Sequence, residues 1–213
     1  MNYVFDFGAV LVTWQPLNLL AECFPQQADT PAHAGHLAHA VFGHEDWQNY
    51  DRGVHSMDEV IARTSARLGL DQPRFDALVR GIGQRLLPMH DTVEWLASLR
   101  ARREAGEDVR LYFLSNMPVD YARVLEREFE FLNWFDGGIF SGDIGAIKPE
   151  EAIYRALQDR HQLVPAQTVF FDDLLGNVQA ARALGWHAVH FHNAAQAQRD
   201  WAALGSEIGT LPA

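Results

Sequence analysis

Five short apolar runs alternate with helical patterns along this sequence, and this alternation constrains the fold more than any other feature. The runs cover residues 3–5, 109–114, 138–140, 168–171 and 188–191. Each is too short for a helix, and most are apolar on both alternating faces, which is typical of strands buried on both sides of a parallel sheet. Helical patterns over 90–104, 119–129 and 149–161 separate them, with Pro149 where a first helical turn tolerates proline. The sequence therefore predicts a doubly wound α/β sheet with right-handed crossovers.

The segment after the first strand interrupts this alternation, because it contains helical patterns but no convincing strand. Residues 56–68 and 71–86 are the clearest helices, and Ser56 followed by Glu59 predicts a capping box. We therefore predict a Rossmann-like parallel sheet with an inserted all-helical domain. The expected division is an α/β core of residues 1–13 and 89–213 and a helical insertion of residues 14–88.

Polar residues follow four of the predicted strands, each at the strand's carboxyl end. They are Asp6 and Gly8 after the first strand, Ser115 and Asn116 after the second, Lys148 in the segment after the third, and Asp172 and Asp173 after the fourth. Ligands of open α/β sheets bind at this edge, so we expect these residues to form one site.

The residue types at this edge indicate phosphoryl chemistry. Three carboxylates would raise one another's pKa unless a cation lies among them. Oxygen ligands select a hard ion, and Mg²⁺ takes one or two carboxylates together with water and substrate phosphate. Lys148, Ser115 and helix N-termini can hold the remaining phosphate oxygens.

The charge balance restricts the partners. Seventeen Lys and Arg against 28 Asp and Glu give a formal charge of −11 at pH 7, which disfavours nucleic acid and anionic membrane surfaces. No leader and no apolar stretch long enough to span a bilayer is recognisable. Cys23 is the only cysteine, which fits a reducing compartment. We expect a cytoplasmic protein with a small phosphorylated metabolite as its partner, and either a monomer or a homodimer.

The four groups of residues resemble, in order and spacing, the motifs of the haloacid dehalogenase-like hydrolase superfamily. They are most similar to those of sugar-phosphate phosphatases of the glucose-1-phosphate phosphatase type and of the phosphatase domain of soluble epoxide hydrolases. The motifs are residues 5–8, 114–116, 145–150 and 170–173, the last followed by Asn177. The resemblance covers residues 3–191, and the helical insertion corresponds to the family's cap.

The resemblance implies that Asp6 is a nucleophile that forms an aspartyl-phosphate, which water then hydrolyses. Asp6, Asp173 and the carbonyl of Gly8 would ligate Mg²⁺. Asp172 would lie beside this metal, and Asn177 would support it or orient its carboxylates. The implied reaction is Mg²⁺-dependent hydrolysis of a small phosphomonoester, with a sugar phosphate as the expected substrate.

The phosphate and the rest of the substrate would contact two further groups of residues. Ser115, Asn116 and Lys148 would anchor the phosphate, and Lys148 would also reduce repulsion between Asp6 and the substrate. Residues 45–53 read as a polar and aromatic loop at the position where family caps contribute substrate-facing residues. The candidates there are Trp47 and Tyr50 for stacking on a sugar and Arg52 for phosphate. The alternative is a surface loop with one buried aromatic side chain.

Gly8 is the main departure from the family pattern. Most phosphatases of the superfamily carry a second Asp there, which protonates the leaving group and then activates water. Such help is worth about 10²–10⁴-fold, so its loss implies weak activity, a substituted donor or another reaction. The resemblance implies that the glucose-1-phosphate phosphatase branch also tolerates Gly at this position. A sugar's anomeric oxygen leaves more easily than an ordinary alkoxide, so such substrates depend less on a proton donor. That branch shows Asn at the next position, where this chain has Ala9.

Two other functions remain open. Haloacid dehalogenases also lack the second Asp, so metal-independent halide release by Asp6 is one alternative. Asp172 and Asp173 argue against it, because dehalogenases carry a Ser/Asn-type arrangement there. The other alternative, suggested by Gly8, is a non-catalytic phospholigand-binding or regulatory protein.

Overall fold

The computed structural model describes residues 1–207, and this part of the chain forms five strands and ten α-helices. The strands are β1 (Asn2–Phe5), β2 (Arg110–Ser115), β3 (Gly137–Phe140), β4 (Thr168–Asp172) and β5 (His187–His190). The helices are α1 (Pro16–Cys23), α2 (Pro31–Phe42), α3 (Glu45–Asp51), α4 (Met57–Leu68), α5 (Gln72–Arg85), α6 (His90–Glu104), α7 (Val119–Glu128), α8 (Glu151–His161), α9 (Leu175–Ala183) and α10 (Ala194–Glu207). None of these helices is long and apolar enough to cross a membrane.

The strands form one parallel sheet in the order β3-β2-β1-β4-β5, which confirms the predicted fold class. Alternate residues of the central strands enter different apolar layers. Phe5 and Phe171 pack with α6, where Trp95 meets both rings edge-on, whereas Val4 and Phe170 belong to the layer under α8 and α9. Burial on both faces is the reason that these strands lack polar alternation in the sequence.

Helices α1 to α5 all lie between β1 and α6, where the helical insertion is predicted. The predicted capping box is present at the start of α4. The Ser56 hydroxyl accepts the Glu59 N–H at 3.3 Å, and the Glu59 carboxylate accepts the Ser56 N–H at 2.7 Å. Apolar side chains of the insertion and of the sheet form one continuous cluster. The division into residues 1–13 and 89–213 and residues 14–88 stays a prediction, and residues 208–213 of that core lie outside the described part of the chain.

The structure corrects two local predictions. Residues 45–51 form α3 rather than a loop, because the His44 ring accepts the Asp46 N–H at 3.1 Å and two acidic residues occupy the first turn. Both aromatic residues of this helix are buried, so the alternative of one buried ring is also wrong.

The second correction concerns Pro149, which does not lie in the first turn of a helix. Helix α8 begins at Glu151, because residues 147–150 form a turn in which the Glu150 N–H donates to the Ile147 carbonyl at 2.9 Å. The peptide bond between Lys148 and Pro149 in this turn is cis.

Two glycines of the insertion differ in their surroundings, since Gly53 lies against the core and Gly69 faces open space. Both have a left-handed backbone, with φ of +73° and +62°. A Cβ at Gly53 would lie 2.7 Å from the Gly142 carbonyl oxygen, whereas one at Gly69 would meet nothing within 4 Å.

We expect Gly69→Ala to lower the free energy of unfolding by about 1–2 kcal/mol through backbone strain. Gly53→Ala should cost roughly 1–3 kcal/mol more, because the carbonyl must move. Urea unfolding measures both losses, and equal losses would contradict this contact.

Candidate active site

Asp6 lies directly beyond β1, at the carboxyl edge of the sheet. Its backbone N–H donates to the Phe171 carbonyl at 3.0 Å, so the residue continues the ladder between β1 and β4. One carboxylate oxygen, Oδ1, accepts the Phe7 N–H at 2.7 Å. The residue is 7% exposed and lines a cavity of about 340 Å³. The first strand therefore presents one nearly buried carboxylate to this cavity.

Lys148 provides the cation at this carboxylate. Its ammonium lies 2.8 Å from Asp6 Oδ1 and 2.6 Å from Asp172 Oδ2, and the side chain is buried. Burial alone would lower the pKa of Lys148, but the negative charges of Asp172 and Asp6 raise it above its usual value. The lysine is therefore charged at neutral pH, and it bridges the ends of β1 and β4.

Asp172 is fully buried, and the surrounding protein uses most of its hydrogen-bonding capacity. The Asn177 amide donates to its two oxygens at 2.9 and 3.1 Å, and the Leu174 N–H donates to Oδ1 at 2.8 Å. With Lys148 on Oδ2, few lone pairs remain for another ligand. Asp172 therefore mainly positions Lys148, and Asn177 orients Asp172.

The carboxylate oxygens at the strand ends fit a hard divalent cation. Asp6, Asp172 and Asp173 each offer a carboxylate oxygen, and these atoms all lie within 4.8 Å of one another. The carbonyl of Gly8, which also lines the cavity, accepts no hydrogen bond from residues 1–207. An all-oxygen donor set of this kind suits Mg²⁺. Because Asp172 is largely occupied, the residues available to hold the ion are Asp6, Asp173 and Gly8.

Burial raises the pKa of both available carboxyls. The pKa of Asp6 is about 7, because burial outweighs the opposing charge of Lys148 and the neighbouring Asp172 and Asp173 act in the same direction as burial. The pKa of Asp173 is about 6, through burial and the charge of Asp172. Both groups therefore bind protons in the pH range where a metal would compete for them.

Ser115 ends β2, Asn116 directly follows it, and both line the same cavity. Ser115 is buried at the strand end. The Asn116 side chain contacts the lysine segment, since it accepts the Lys148 N–H at 2.7 Å and donates to the Lys148 carbonyl at 3.0 Å. Asn116 therefore fixes the backbone from which the ammonium extends, a role that residue spacing does not predict.

Of the three candidates in the insertion, the structure brings Trp47 alone to the cavity. The Tyr50 hydroxyl donates to the Asp120 carboxylate at 3.1 Å, and its ring is buried. Arg52 forms an ion pair with Glu150. Tyr50 and Arg52 thus fasten the end of α3 to the core instead of lining the cavity.

The rest of the cavity lining is mainly apolar. Five of its apolar side chains come from the insertion: Trp14, Phe42, Trp47, Ile82 and Leu86. The Phe42 ring meets both tryptophan rings edge-on, with its centroid 5.0 Å from that of Trp14 and 4.6 Å from that of Trp47. The insertion therefore contributes an aromatic wall to a cavity whose charged groups come from the sheet edge.

Asp51 is a residue of this site that the sequence analysis missed. It ends α3 and lines the cavity that also contains Asp6 and Lys148. Burial raises its pKa to about 8, against the lowering effect of Arg52 and Lys148. The sequence carries no signal for it, because its position depends on how α3 packs on the core.

Ala9 stands where the glucose-1-phosphate phosphatase branch shows Asn, and its backbone conformation gives a reason for that Asn. Its φ is +57°, in the left-handed region, and its N–H donates to the Val12 carbonyl at 2.8 Å. Asn enters this region more readily than Ala. The turn after Asp6 therefore explains why Asn suits this position, and Ala9 holds it at some cost in strain.

Comparison with protein families identifies the class of protein. The model of the haloacid dehalogenase-like hydrolases matches residues 4–185, and the chain belongs to this family.

Two curated relatives come from Aspergillus species. The sesquiterpene phosphatase astK of Aspergillus oryzae is 28% identical over 188 residues, which is 88% of this chain and 87% of that protein. The drimenol cyclase drtB of Aspergillus calidoustus is 27% identical over 196 residues, which is 92% of this chain and 35% of the cyclase. This chain therefore corresponds to about a third of the cyclase.

A solved structure shows the same fold. The HAD family enzyme bt-2542 of Bacteroides thetaiotaomicron, in complex with magnesium and inorganic phosphate, matches with a TM-score of 0.66 at 19% identity. The match covers 95% of this chain and 98% of that one.

Lys148→Met would leave Asp6 and Asp172 buried without their cation. Removing one partner of a buried ion pair costs about 3–5 kcal/mol, and we expect a loss of that order in the free energy of unfolding at pH 8. The loss should shrink at pH 5, because the raised pKa of Asp6 lets the folded protein bind a proton there. Urea unfolding at both pH values measures it. Adding Asp6→Asn to Lys148→Met should recover part of the stability, and no recovery would contradict the coupling.

Mg²⁺ should stabilise the protein more at pH 8 than at pH 5. The ion must displace protons from Asp6 and Asp173, whose pKa values are about 7 and 6, so its affinity falls as the pH falls. At pH 8, Mg²⁺ at 100 times its Kd adds about 2.7 kcal/mol to the free energy of unfolding. Thermal unfolding with Mg²⁺ or EDTA measures the effect, with Asp173→Asn as the weak-binding control. An equal increase in Tm at both pH values would contradict the assignment.

Proposed function

We propose that this chain is a Mg²⁺-dependent phosphatase that hydrolyses a small phosphomonoester through an aspartyl-phosphate on Asp6. The observation that carries the proposal is the contact of Asp6 with the buried ammonium of Lys148 in a cavity that Asp173 and Gly8 also line. The phosphatase relative and the fold neighbour crystallised with magnesium and phosphate support it.

In the first step, an Asp6 oxygen attacks phosphorus and the bond from phosphorus to the organic oxygen breaks. Lys148 and the Ser115 hydroxyl hold phosphoryl oxygens, and Lys148 also reduces the repulsion between Asp6 and the substrate. Asn116 keeps the lysine in place through its two bonds to the Lys148 backbone. Water then attacks the phosphorus of the aspartyl-phosphate and releases phosphate.

Asp6, Asp173 and the Gly8 carbonyl would hold the metal. When bound, Mg²⁺ supplies positive charge that favours the ionised form of Asp6 and stabilises charge on the phosphoryl oxygens. Asp172 and Asn177 support the site without binding the metal, since Asn177 orients Asp172 and Asp172 fixes Lys148.

The cavity lining favours an apolar organic group over the sugar predicted from the sequence. A sugar carries several hydroxyls that need partners when they are buried. Beyond the polar and charged groups at the strand ends, the polar side chains that line the cavity are Gln48, Asp51, Tyr121 and Asn177. Tyr121 and Asn177 already donate hydrogen bonds within the protein, which leaves Gln48 and Asp51 for a sugar's hydroxyls. The aromatic wall from the insertion suits a hydrocarbon chain, and the relative named as a sesquiterpene phosphatase supports this choice. In this proposal, residues 14–88 act as the cap that selects the organic group.

A sugar phosphate is the second candidate substrate. Trp47 in the cavity can stack on a sugar ring, and an anomeric leaving oxygen would depend less on the proton donor that Gly8 lacks.

Asp6→Asn tests the mechanism. We expect phosphate release to fall by more than about 10³-fold with the fold retained, because the nucleophile is gone. Asp91→Asn is the matched control, since Asp91 is exposed in the first turn of α6. The assay measures phosphate released from farnesyl monophosphate and from glucose 1-phosphate, with Mg²⁺ or EDTA. An active Asp6→Asn enzyme would contradict this mechanism.

The same assay separates the alternatives. A higher kcat/KM for farnesyl monophosphate supports the apolar substrate, and a higher value for glucose 1-phosphate supports the sugar. Halide release from 2-chloropropionate in EDTA would indicate the dehalogenase reaction instead. Binding of either phosphomonoester without turnover in Mg²⁺ would indicate the non-catalytic ligand-binding protein.

A further inference from the structure

Because residue 8 is glycine, the turn after Asp6 has no carboxyl group that could protonate the leaving oxygen. Within residues 1–207, five ionisable side chains line the cavity: Asp6, Asp51, Tyr121, Lys148 and Asp173. Asp6 is the proposed nucleophile and Asp173 belongs to the proposed metal group. The remaining three are therefore the candidates for a proton donor.

Two of these three are already engaged. Lys148 contacts two carboxylates, and their charges raise its pKa, so the ammonium is a weak acid. The Tyr121 hydroxyl donates to the Val79 carbonyl at 2.8 Å, and burial raises its pKa well above the usual value. Neither group is suited to give a proton to a substrate oxygen.

Asp51 differs from both, because its carboxyl group is free. Among residues 1–207, no group donates a hydrogen bond to this carboxyl, and Arg52 and Lys148 act on it through their charges alone. It lies near enough to Lys148 for that ammonium to act on its charge, which places it in the electrostatic field that also acts on Asp6. A substrate bound in the cavity therefore meets an uncommitted carboxyl group.

The backbone of Asp51 is fixed against the phosphate-binding end of the core. The Ser141 hydroxyl donates to the Asp51 carbonyl at 2.6 Å and accepts the Met117 N–H at 2.8 Å. Met117 directly follows the Ser115-Asn116 pair. The residues on either side of Asp51 add the contacts of Tyr50 with Asp120 and of Arg52 with Glu150. Three consecutive residues thus fasten the end of α3 to the core.

We propose that Asp51 is the general acid–base of this site, supplied by the helical insertion in place of a carboxyl group at position 8. This inference rests on the proposed phosphatase function. As the Asp6 oxygen bonds to phosphorus and the ester bond breaks, the Asp51 carboxyl gives its proton to the leaving oxygen, which departs as an alcohol. Asp51, now a carboxylate, takes a proton from the water that attacks the aspartyl-phosphate. Phosphate and the Asp6 carboxylate are released, and Asp51 is protonated again.

The protonation state of Asp51 suits the first step. Burial raises its pKa to about 8, so the carboxyl holds a proton at neutral pH. A catalytic acid works best when its pKa lies near the operating pH.

Asp51→Asn tests this role with two substrates that differ in their leaving groups. For an alkyl phosphate, whose alkoxide needs a proton, we expect kcat/KM to fall by about 10²–10⁴-fold. For p-nitrophenyl phosphate, whose phenolate leaves without a proton, kcat/KM should fall less than about 10-fold. The second step still lacks its base, so this variant should release a burst of nitrophenolate before a slow steady state.

Glu45→Gln is the matched control, because it removes an exposed carboxylate from the other end of α3. Asp51→Asn keeps the backbone carbonyl that Ser141 contacts, and thermal unfolding shows whether the fold is retained. Asp51→Glu restores a carboxyl group, and we expect it to recover at least about 10-fold of the activity toward the alkyl phosphate.

Equal losses for the two substrates would show a structural or binding role and overturn the inference, as would full activity of Asp51→Asn. In either case an inactive Asp6→Asn enzyme leaves the proposed function standing. An active Asp6→Asn enzyme overturns the proposed function itself.

Discussion

The buried ammonium of Lys148 is the interaction on which the rest of the site depends. Carboxylates that leave water lose hydration energy, and they remain charged only where a partner compensates them. Lys148 compensates Asp6 and Asp172 at 2.8 and 2.6 Å and thereby joins the ends of β1 and β4. Asn116, directly after β2, fixes the lysine backbone. The ends of three neighbouring strands are therefore mutually dependent, and a change at one alters the charge balance of the others.

The two parts of the chain contribute different chemistry to one cavity. The sheet edge supplies charges whose positions follow from strand register, which is rigid because apolar residues pack on both faces. The insertion supplies aromatic and aliphatic side chains and one free carboxyl group, Asp51. In the proposed function, the first set binds and transfers the phosphoryl group and the second selects the organic group and moves the proton.

The sequence predicts the sheet and its polar edge well, because buried parallel strands leave apolar runs that end abruptly in polar residues. It also predicts α4, whose capping box is local. It does not predict α3, because that helix is short and its aromatic residues are buried by tertiary packing. The same limit applies to side-chain direction. Asn116 contacts the lysine backbone and Tyr50 contacts Asp120, and neither contact leaves a trace in residue spacing.

Trp47 and Asp51 lie one turn apart on α3, and both line the cavity. Residues four positions apart on a helix share a face, and a rigid helix moves them together. In the proposed function, a substrate whose organic group displaced Trp47 would strain the contacts that fasten the end of α3 to the core, and it would displace the carboxyl group of Asp51 as well. Discrimination between substrates would then appear in the rate of turnover as well as in the strength of binding, so that a poorly fitting phosphate ester occupies the cavity without being cleaved at the full rate.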